Sequence, residues 1–580
     1  MKTLNFKLSI ALFCLFLCFS NVVKAQDNQL KLGNVEVGEI DFKSFELSQE
    51  GNVLIEGMAG SFDRWSNDLV FYGWIIDAKS RKVVWHLMEE ANDEFYDRED
   101  DGKFSFEQEL SLPSGKYEAY FAGAMDYRKG NNIEINDIGD FLDALFDELD
   151  IDRSDFHSRY IEKLGMTISG VEGEFKVFNG SAKVDAYKKN AFFSTARAND
   201  NEFKKQFFSL DSETELNIYT IGEQRNDDYF DDVRIIDLNS YKQVWPNDAT
   251  KYVKAGGAKK NRMAFQSFKL GKGEYVVYYV SDDSHSFEKW NMLPPFDPQM
   301  WGATIWTAQK DRDNVKLLEK NEREILNISK VRDDEYRSQG FTLEKDMDLR
   351  IVSLGERSSR HYMVDYGWIV NASTGETVWE LEEEESKYAG GGSKNRMVNE
   401  KITLEKGNYI AYYASDDSHS YEDWNTNPPL MQDLWGMIIL AEPKDIKSFK
   451  LREIEELTDK NIIAEIVRVR DHAEATKEFS LNDDQKIRIL AIGEGSGNHM
   501  HDTGWITDSK GEIVWEMTMR KTKHAGGAKK NRMFNGVIML PEGDYTLHYE
   551  SDDSHSYRNW NSTPPRNQER YGITIFKVED

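Results

Sequence analysis

The chain has almost no cysteine, little proline and no long apolar run beyond its first residues. Among 580 residues there are only 2 cysteines, Cys14 and Cys18, and both lie in the N-terminal apolar stretch. If that stretch is removed on export, no thiol remains, which excludes a disulfide framework. No later segment approaches the roughly 20 consecutive apolar residues of a membrane-spanning helix, so no membrane insertion is expected. Basic residues are also scarce: 73 Lys and Arg stand against 103 Asp and Glu, for a net charge of −30. Such a surface repels nucleic acid and anionic lipid and attracts Ca²⁺ or basic partners. The chain is rich in aromatic residues, at 12%, which argues against disorder.

The first residues read as an export signal. Lys2 and Lys7 precede an apolar run over 10–19, and Val23-Lys24-Ala25 forms a small-residue cleavage site. Leu17 is too large for the usual lipidation box before Cys18. The expectation is a signal peptide over 1–25 and a mature bacterial protein, secreted or periplasmic, acting on an extracellular or periplasmic protein or glycan.

Internal repetition sets the architecture. The phrase SDDSHS occurs at Ser281, Ser415 and Ser551, and is followed each time by Trp-Asn and a loop with two adjacent prolines. Upstream lie AGGAKKNRM from Ala255, AGGGSKNRM from Ala389 and AGGAKKNRM from Ala525. Earlier still is a hairpin phrase, YGWIVNASTGETVW from Tyr366 and TGWITDSKGEIVW from Thr503. Its counterparts start at Tyr72 and, eroded, at Val233, so there are four copies. The expected domains are 26–173, 174–310, 311–443 and 444–580. The first copy lacks the polar phrases and carries instead the acidic run from Asp97 and an amphipathic helix over 137–149. The last copy reads as eight short strands, near 462–469, 477–481, 486–492, 503–507, 512–517, 532–540, 545–551 and 571–577. Short strands with Gly, Asn and Asp turns and no helix between them predict four tandem antiparallel β-sandwiches.

The phrase order also resembles the pre-peptidase C-terminal domains of secreted bacterial enzymes. The matching residues are Phe479 and Leu481, then Asp508 and Gly511, then Leu540-Pro541-Glu542-Gly543-Asp544-Tyr545. Copies two and three lack the Pro of the last motif, and the family pattern contains neither DDSHS nor GGxxKNR. The resemblance implies that each sandwich is jelly-roll-like and serves as an accessory module for adhesion or substrate binding, sometimes Ca²⁺-binding.

If Leu540 and Tyr545 flank a hairpin turn, equal steps outward place Arg532 opposite Asp553 on the core-facing side. The same count pairs Arg262 with Asp283 and Arg396 with Asp417. Three structural ion pairs are expected, because an unpaired charge at the core rim is costly. The residues left for a ligand are Asp282, His285, Trp290 and Asn291, then Asp416, His419, Trp424 and Asn425, then Asp552, His555, Trp560 and Asn561. Asx and Ser turns are the structural alternative for the acidic and hydroxyl positions, and plugging of the sandwich end is the alternative for the tryptophans. Histidine speaks against Ca²⁺ at these loops, and Asp97, Asp100 and Asp101 are the better oxygen ligands. No other cofactor is expected. A Ser-His-Asp hydrolase would need side chains converging from separate elements, and neighbours in one tight loop rarely converge in that way. The expected function is a non-catalytic binding or interaction module. The alternatives are an accessory carbohydrate- or peptide-binding protein of a separate hydrolase, or a hydrolase with repeated sites.

Overall fold

The computed structural model describes residues 28–61, 69–87, 96–98, 103–124, 161–171, 175–178, 189–225, 228–287, 289–359, 362–458 and 461–578. Residues 1–25, expected to form an export signal, the stretch 137–149 expected to form a helix, Asp100 and Asp101 lie outside them. Asp97 falls in strand Tyr96–Arg98, opposite Ser105.

The described residues form antiparallel sheets in four successive sandwiches, two in each of the compact units 1–319 and 320–580. The fourth shows the plan. One layer has the order Ile462–Val467, Gly572–Lys577, Gln485–Ser496, Asn531–Leu540, Lys523–His524. The other runs Glu474–Leu481, Gly543–Glu550, Thr503–Asp508, Ile513–Glu516. All eight expected strands are present, and the two-residue strands His499–Met500 and Lys523–His524 are additional. Alternation drives the layering: along Glu474–Leu481, Phe479 and Leu481 are buried while Glu478 and Ser480 are exposed. Ile487, Ile489, Leu547, Tyr549, Ile573 and Ile575, all 0% exposed, fill the space between the layers. Each contributes about 1.5–3 kcal/mol relative to an exposed position. In the first copy the long strand Gly51–Ser61 also meets Leu69–Asp77, joining both layers into one sheet of ten strands.

The turn at 541–542 does not close a hairpin. Asn531–Leu540 pairs with Gln485–Ser496, whereas Gly543–Glu550 pairs with Glu474–Leu481 in the other layer. The link is an arch from sheet to sheet, pinned by the Tyr545 hydroxyl donating to Pro541 O at 2.8 Å. Tyr117, Tyr275 and Tyr409 make the same bond four residues back, so the Leu-x-x-Gly-x-Tyr phrase encodes a tyrosine corner in every copy. Strands in opposite layers share no hydrogen-bond register, and the count that paired Arg532 with Asp553 loses its basis.

The domain boundaries also shift. Phe175–Phe178 pairs with Ile40–Leu47 of the first sandwich, Val315–Leu318 with Phe203–Leu210 of the second, and Phe449–Arg452 with Tyr336–Leu343 of the third. Each of the first three sandwiches therefore ends several residues later than expected, because its last strand returns to its own edge after the repeated phrases have finished. The short helix Ile454–Thr458 stays with the third sandwich as well, where Leu457 lies against Gly340. A fragment of residues 461–580 should therefore unfold in one cooperative transition, having a complete core of its own. A soluble fragment without a sigmoidal thermal transition, followed by circular dichroism, would contradict this.

Candidate functional site

The three His of DDSHS point inward. His285, His419 and His555 are 0% exposed and sit at left-handed φ of 59, 60 and 58°. For a non-glycine residue that backbone conformation persists only where surrounding contacts hold it. Here the contact is the Asn of KNR: His Nε2 lies 2.8, 2.5 and 2.5 Å from Oδ1 of Asn261, Asn395 and Asn531. The other end of each amide is already committed. Asn531 Nδ2 donates to Gly526 O and Thr563 O at 2.8 and 3.0 Å, and Asn261 and Asn395 repeat the arrangement. That fixes Oδ1 toward the ring, and so makes Nε2–H the donor.

One buried amide thus ties together the glycine turn, the proline loop and the histidine. The second Gly of each GG pair completes the fit. Gly527 has φ +63°, and a Cβ there would lie 2.0 Å from Pro564 O. Gly257 and Gly391 stand equally close to Pro294 O and Pro428 O.

The loop tryptophans close the same end. Trp290, 2% exposed, meets His285 edge-on with ring centroids 5.1 Å apart. Trp424 and Trp560, partly buried, do the same to His419 and His555. Asn291 Oδ1 accepts from Lys260 Nζ at 2.9 Å and Asn561 Oδ1 from Lys530 Nζ at 2.5 Å, while Asn425 is exposed. At these His and Trp positions the side chains are engaged in packing and, for His, in buried hydrogen bonds.

The expected ion pairs are corrected too. Asp283, Asp417 and Asp553 are exposed. Arg532 donates to Thr522 O at 2.6 Å and Arg396 to Ser386 O at 2.6 Å, across the short edge strand of their own layer, and Arg262 donates to Lys259 O. No ion pair joins Arg262, Arg396 or Arg532 to these carboxylates among the described residues.

The first Asp of each DD pair does two things. Its carboxylate forms an Asx turn, with Asp282, Asp416 and Asp552 Oδ1 accepting from the N–H two residues on at 3.2, 3.2 and 3.1 Å. It also joins a cluster of acids. Glu356, Asp365 and Asp416, and likewise Glu494, Asp502 and Asp552, bring carboxylate oxygens within 4.8 Å of one another. Lys394 and Lys530, from KNR, hold the Glu at 2.9 and 3.0 Å, and Lys260 holds Glu223 at 2.6 Å. Buried Oε2 of Glu356 and of Glu494 has no hydrogen-bond partner among the described residues.

Burial, reinforced by neighbouring charge, sets the protonation. The Asp502 carboxyl is raised from its ordinary 3.8 to about 7 by burial, and Asp282 to about 6 by burial and then by Glu223. Asp231 and Asp365 are raised well above the usual carboxylate range by the same cause. Conversely, His419 and His555 are lowered to about 4, first by burial and then by the Lys394 and Lys530 charges. The cluster can hold a shared proton or a cation on an oxygen-only set, because the His ring is turned away to Asn.

Sequence reasoning missed Glu223, Glu356 and Glu494, and Asp231, Asp365 and Asp502. The available signal was a recurring Gly-Glu at 222, 355 and 493, with an Asp ahead of each hairpin phrase.

The loop reaches further within each unit. In unit 1–319, Trp74 Nε1 of the first sandwich donates to Phe296 O at 2.9 Å, and Arg81 Nε to Asp297 Oδ2 at 2.8 Å. In unit 320–580, Arg566 pairs with Glu380 and Asn567 Oδ1 accepts from Trp368 Nε1 at 3.4 Å. Phe296-Asp297 and Arg566-Asn567 both follow the two prolines. Trp74 and Trp368 open equivalent hairpins and are each 1% exposed. The proline loop of one sandwich is thus seated on the hairpin face of the one before it.

No protein-family model and no curated protein matches the chain.

Two outcomes check this site. Asn531→Ala strands the His555 ring and two carbonyls, and should cost about 2–4 kcal/mol in denaturant unfolding, against about 0.5 kcal/mol or less for Asp553→Ala. Equal costs would refute the amide as the organising group.

The pH dependence has opposed parts. Asp502, raised, contributes stability that is present below about 4 and lost as pH climbs to about 7. His555, lowered, contributes stability present above 6.5 and lost as pH falls to about 4. Asp502→Asn removes the first alone. The melting temperature of the variant relative to wild type should therefore rise steadily over that window, and a flat difference would contradict the assignment.

Proposed function

We propose that the chain is an exported, non-catalytic interaction module built of tandem sandwiches that present rigid proline loops and receiving faces. The observation that carries this reading is the joint itself: Arg566-Asn567 on Glu380 and Trp368, and Phe296-Asp297 on Trp74 and Arg81, are protein–protein recognition within one chain. The polar phrases serve to stiffen the loop that does the recognising. This is an accessory role of the kind that resemblance to pre-peptidase C-terminal domains implies.

A hydrolytic role finds less support, because His Nε2–H is spent on an Asn amide and Ser286, Ser420 and Ser556 are buried. A sugar-stacking role for Trp290, Trp424 and Trp560 is weakened by their edge-on packing against His.

The mature protein should capture peptides from a mixed peptide and glycan array, run with and without Ca²⁺, and should turn over no ester, peptide or glycoside reporter. Turnover abolished by His555→Gln, or capture of glycans alone, would overturn the reading.

A further inference from the structure

The hairpin face that receives a loop in the first and third sandwiches is present in the fourth with no loop seated on it among the described residues. Trp505 stands where Trp74 and Trp368 stand, each paired across the hairpin with the residue after a second Trp: Glu516, His86 and Glu380. Trp74 and Trp368 are 1% exposed, whereas Trp505 is only partly buried and Glu516 is exposed. Trp505 is nevertheless held in place, stacked on His548 at 4.9 Å with 2° between the rings, and His548 is fixed by Thr507 at 3.0 Å. Beside it lies an open cleft of about 310 Å³ whose described lining residues belong to its own sandwich, among them His499, Met500, Trp505, Glu516 and Met519. Its lining combines an aromatic ring, Trp505, with one carboxylate, Glu516.

We propose that this face is a docking site for a proline-led basic loop on a partner protein, of the Pro-Pro-Arg-Asn kind that the chain seats on its own third sandwich. The proposal rests on the interaction-module reading and names the chemistry of its partner. Charge decides the occupant. Glu516 occupies the position of Glu380, whose carboxylate binds Arg566, so an Arg after the prolines finds the same counter-ion. A second copy of the chain has no such loop to spare. Its Arg566-Asn567 loop is already engaged on Trp368 and Glu380, and its third sandwich carries Leu430 and Met431, both buried, after the prolines. The second sandwich places Phe296 at the position of Arg566, followed by Asp297, and so offers Glu516 no cation. A foreign loop with an arginine fits the face best.

The probe is a cyclised peptide of residues 560–571, titrated calorimetrically into the full mature chain. Saturable binding is expected, weakened about 10-fold or more by Trp505→Ala in the protein. Glu516→Arg should abolish it, and a peptide carrying Arg566→Glu should regain binding to Glu516→Arg. Both substitutions are at the surface, and circular dichroism verifies that each variant folds. Absence of binding, or binding that neither substitution alters, overturns the site. Dimerisation of the mature chain in sedimentation, lost in Trp505→Ala, would seat a second copy there and overturn the foreign partner. A null titration while the arrays still capture a ligand removes this face alone, whereas a null in both removes the interaction reading with it.

Discussion

A single buried amide in each of the last three sandwiches holds the rest of the site in place. Asn531 satisfies two carbonyls and a histidine from three separate segments, and does so at 0% exposure. Backbone carbonyls and an imidazole buried at that depth each need a partner, because stripping one of water without replacement costs about 1–3 kcal/mol. The glycine turn, the histidine turn and the proline loop therefore form together or not at all. The left-handed histidine and the positive-φ glycine are consequences of that convergence.

The carboxylates beside the amide are governed by the same depth. Three acids and one lysine share the end of the sandwich, and burial resists leaving all three acids charged. Asp502 responds by holding its proton toward neutrality, and its oxygens accept from the Asp552 N–H and the Tyr571 hydroxyl. The histidine responds in the opposite sense, staying neutral. The shifts of both groups follow from closing a β-sandwich around them.

Closing the end has a consequence beyond one sandwich. A loop pinned at its root by Asn and packed by Trp presents the residues after its two prolines as a preorganised surface, and preorganisation lowers the entropy lost on docking. Within each unit that surface meets the Trp-bearing hairpin of the preceding sandwich. At equivalent positions Arg566 meets Glu380 where Phe296 packs on His86, and Asp297 adds an ion pair to Arg81 in the first unit, so the two joints differ in chemistry on one scaffold.

The sequence alone determined the all-β class, the four copies and every long strand of the last one, because period-two burial and turn residues are local properties that the chain displays directly. It also announced that DDSHS and KNR belong to one assembly, through their constant spacing. The partners inside that assembly were decided only by tertiary structure. The Leu-x-x-Gly-x-Tyr turn reads locally as a hairpin, and only the Tyr545 bond to Pro541 O turns it into an arch between layers. Arg532 consequently meets the Thr522 backbone and not Asp553. Asn531 and His555 are joined from opposite layers, and the Glu494–Asp502–Asp552 cluster from three separate segments. Such contacts depend on how two sheets are stacked, and no periodicity along a single strand records which residues stacking will bring together.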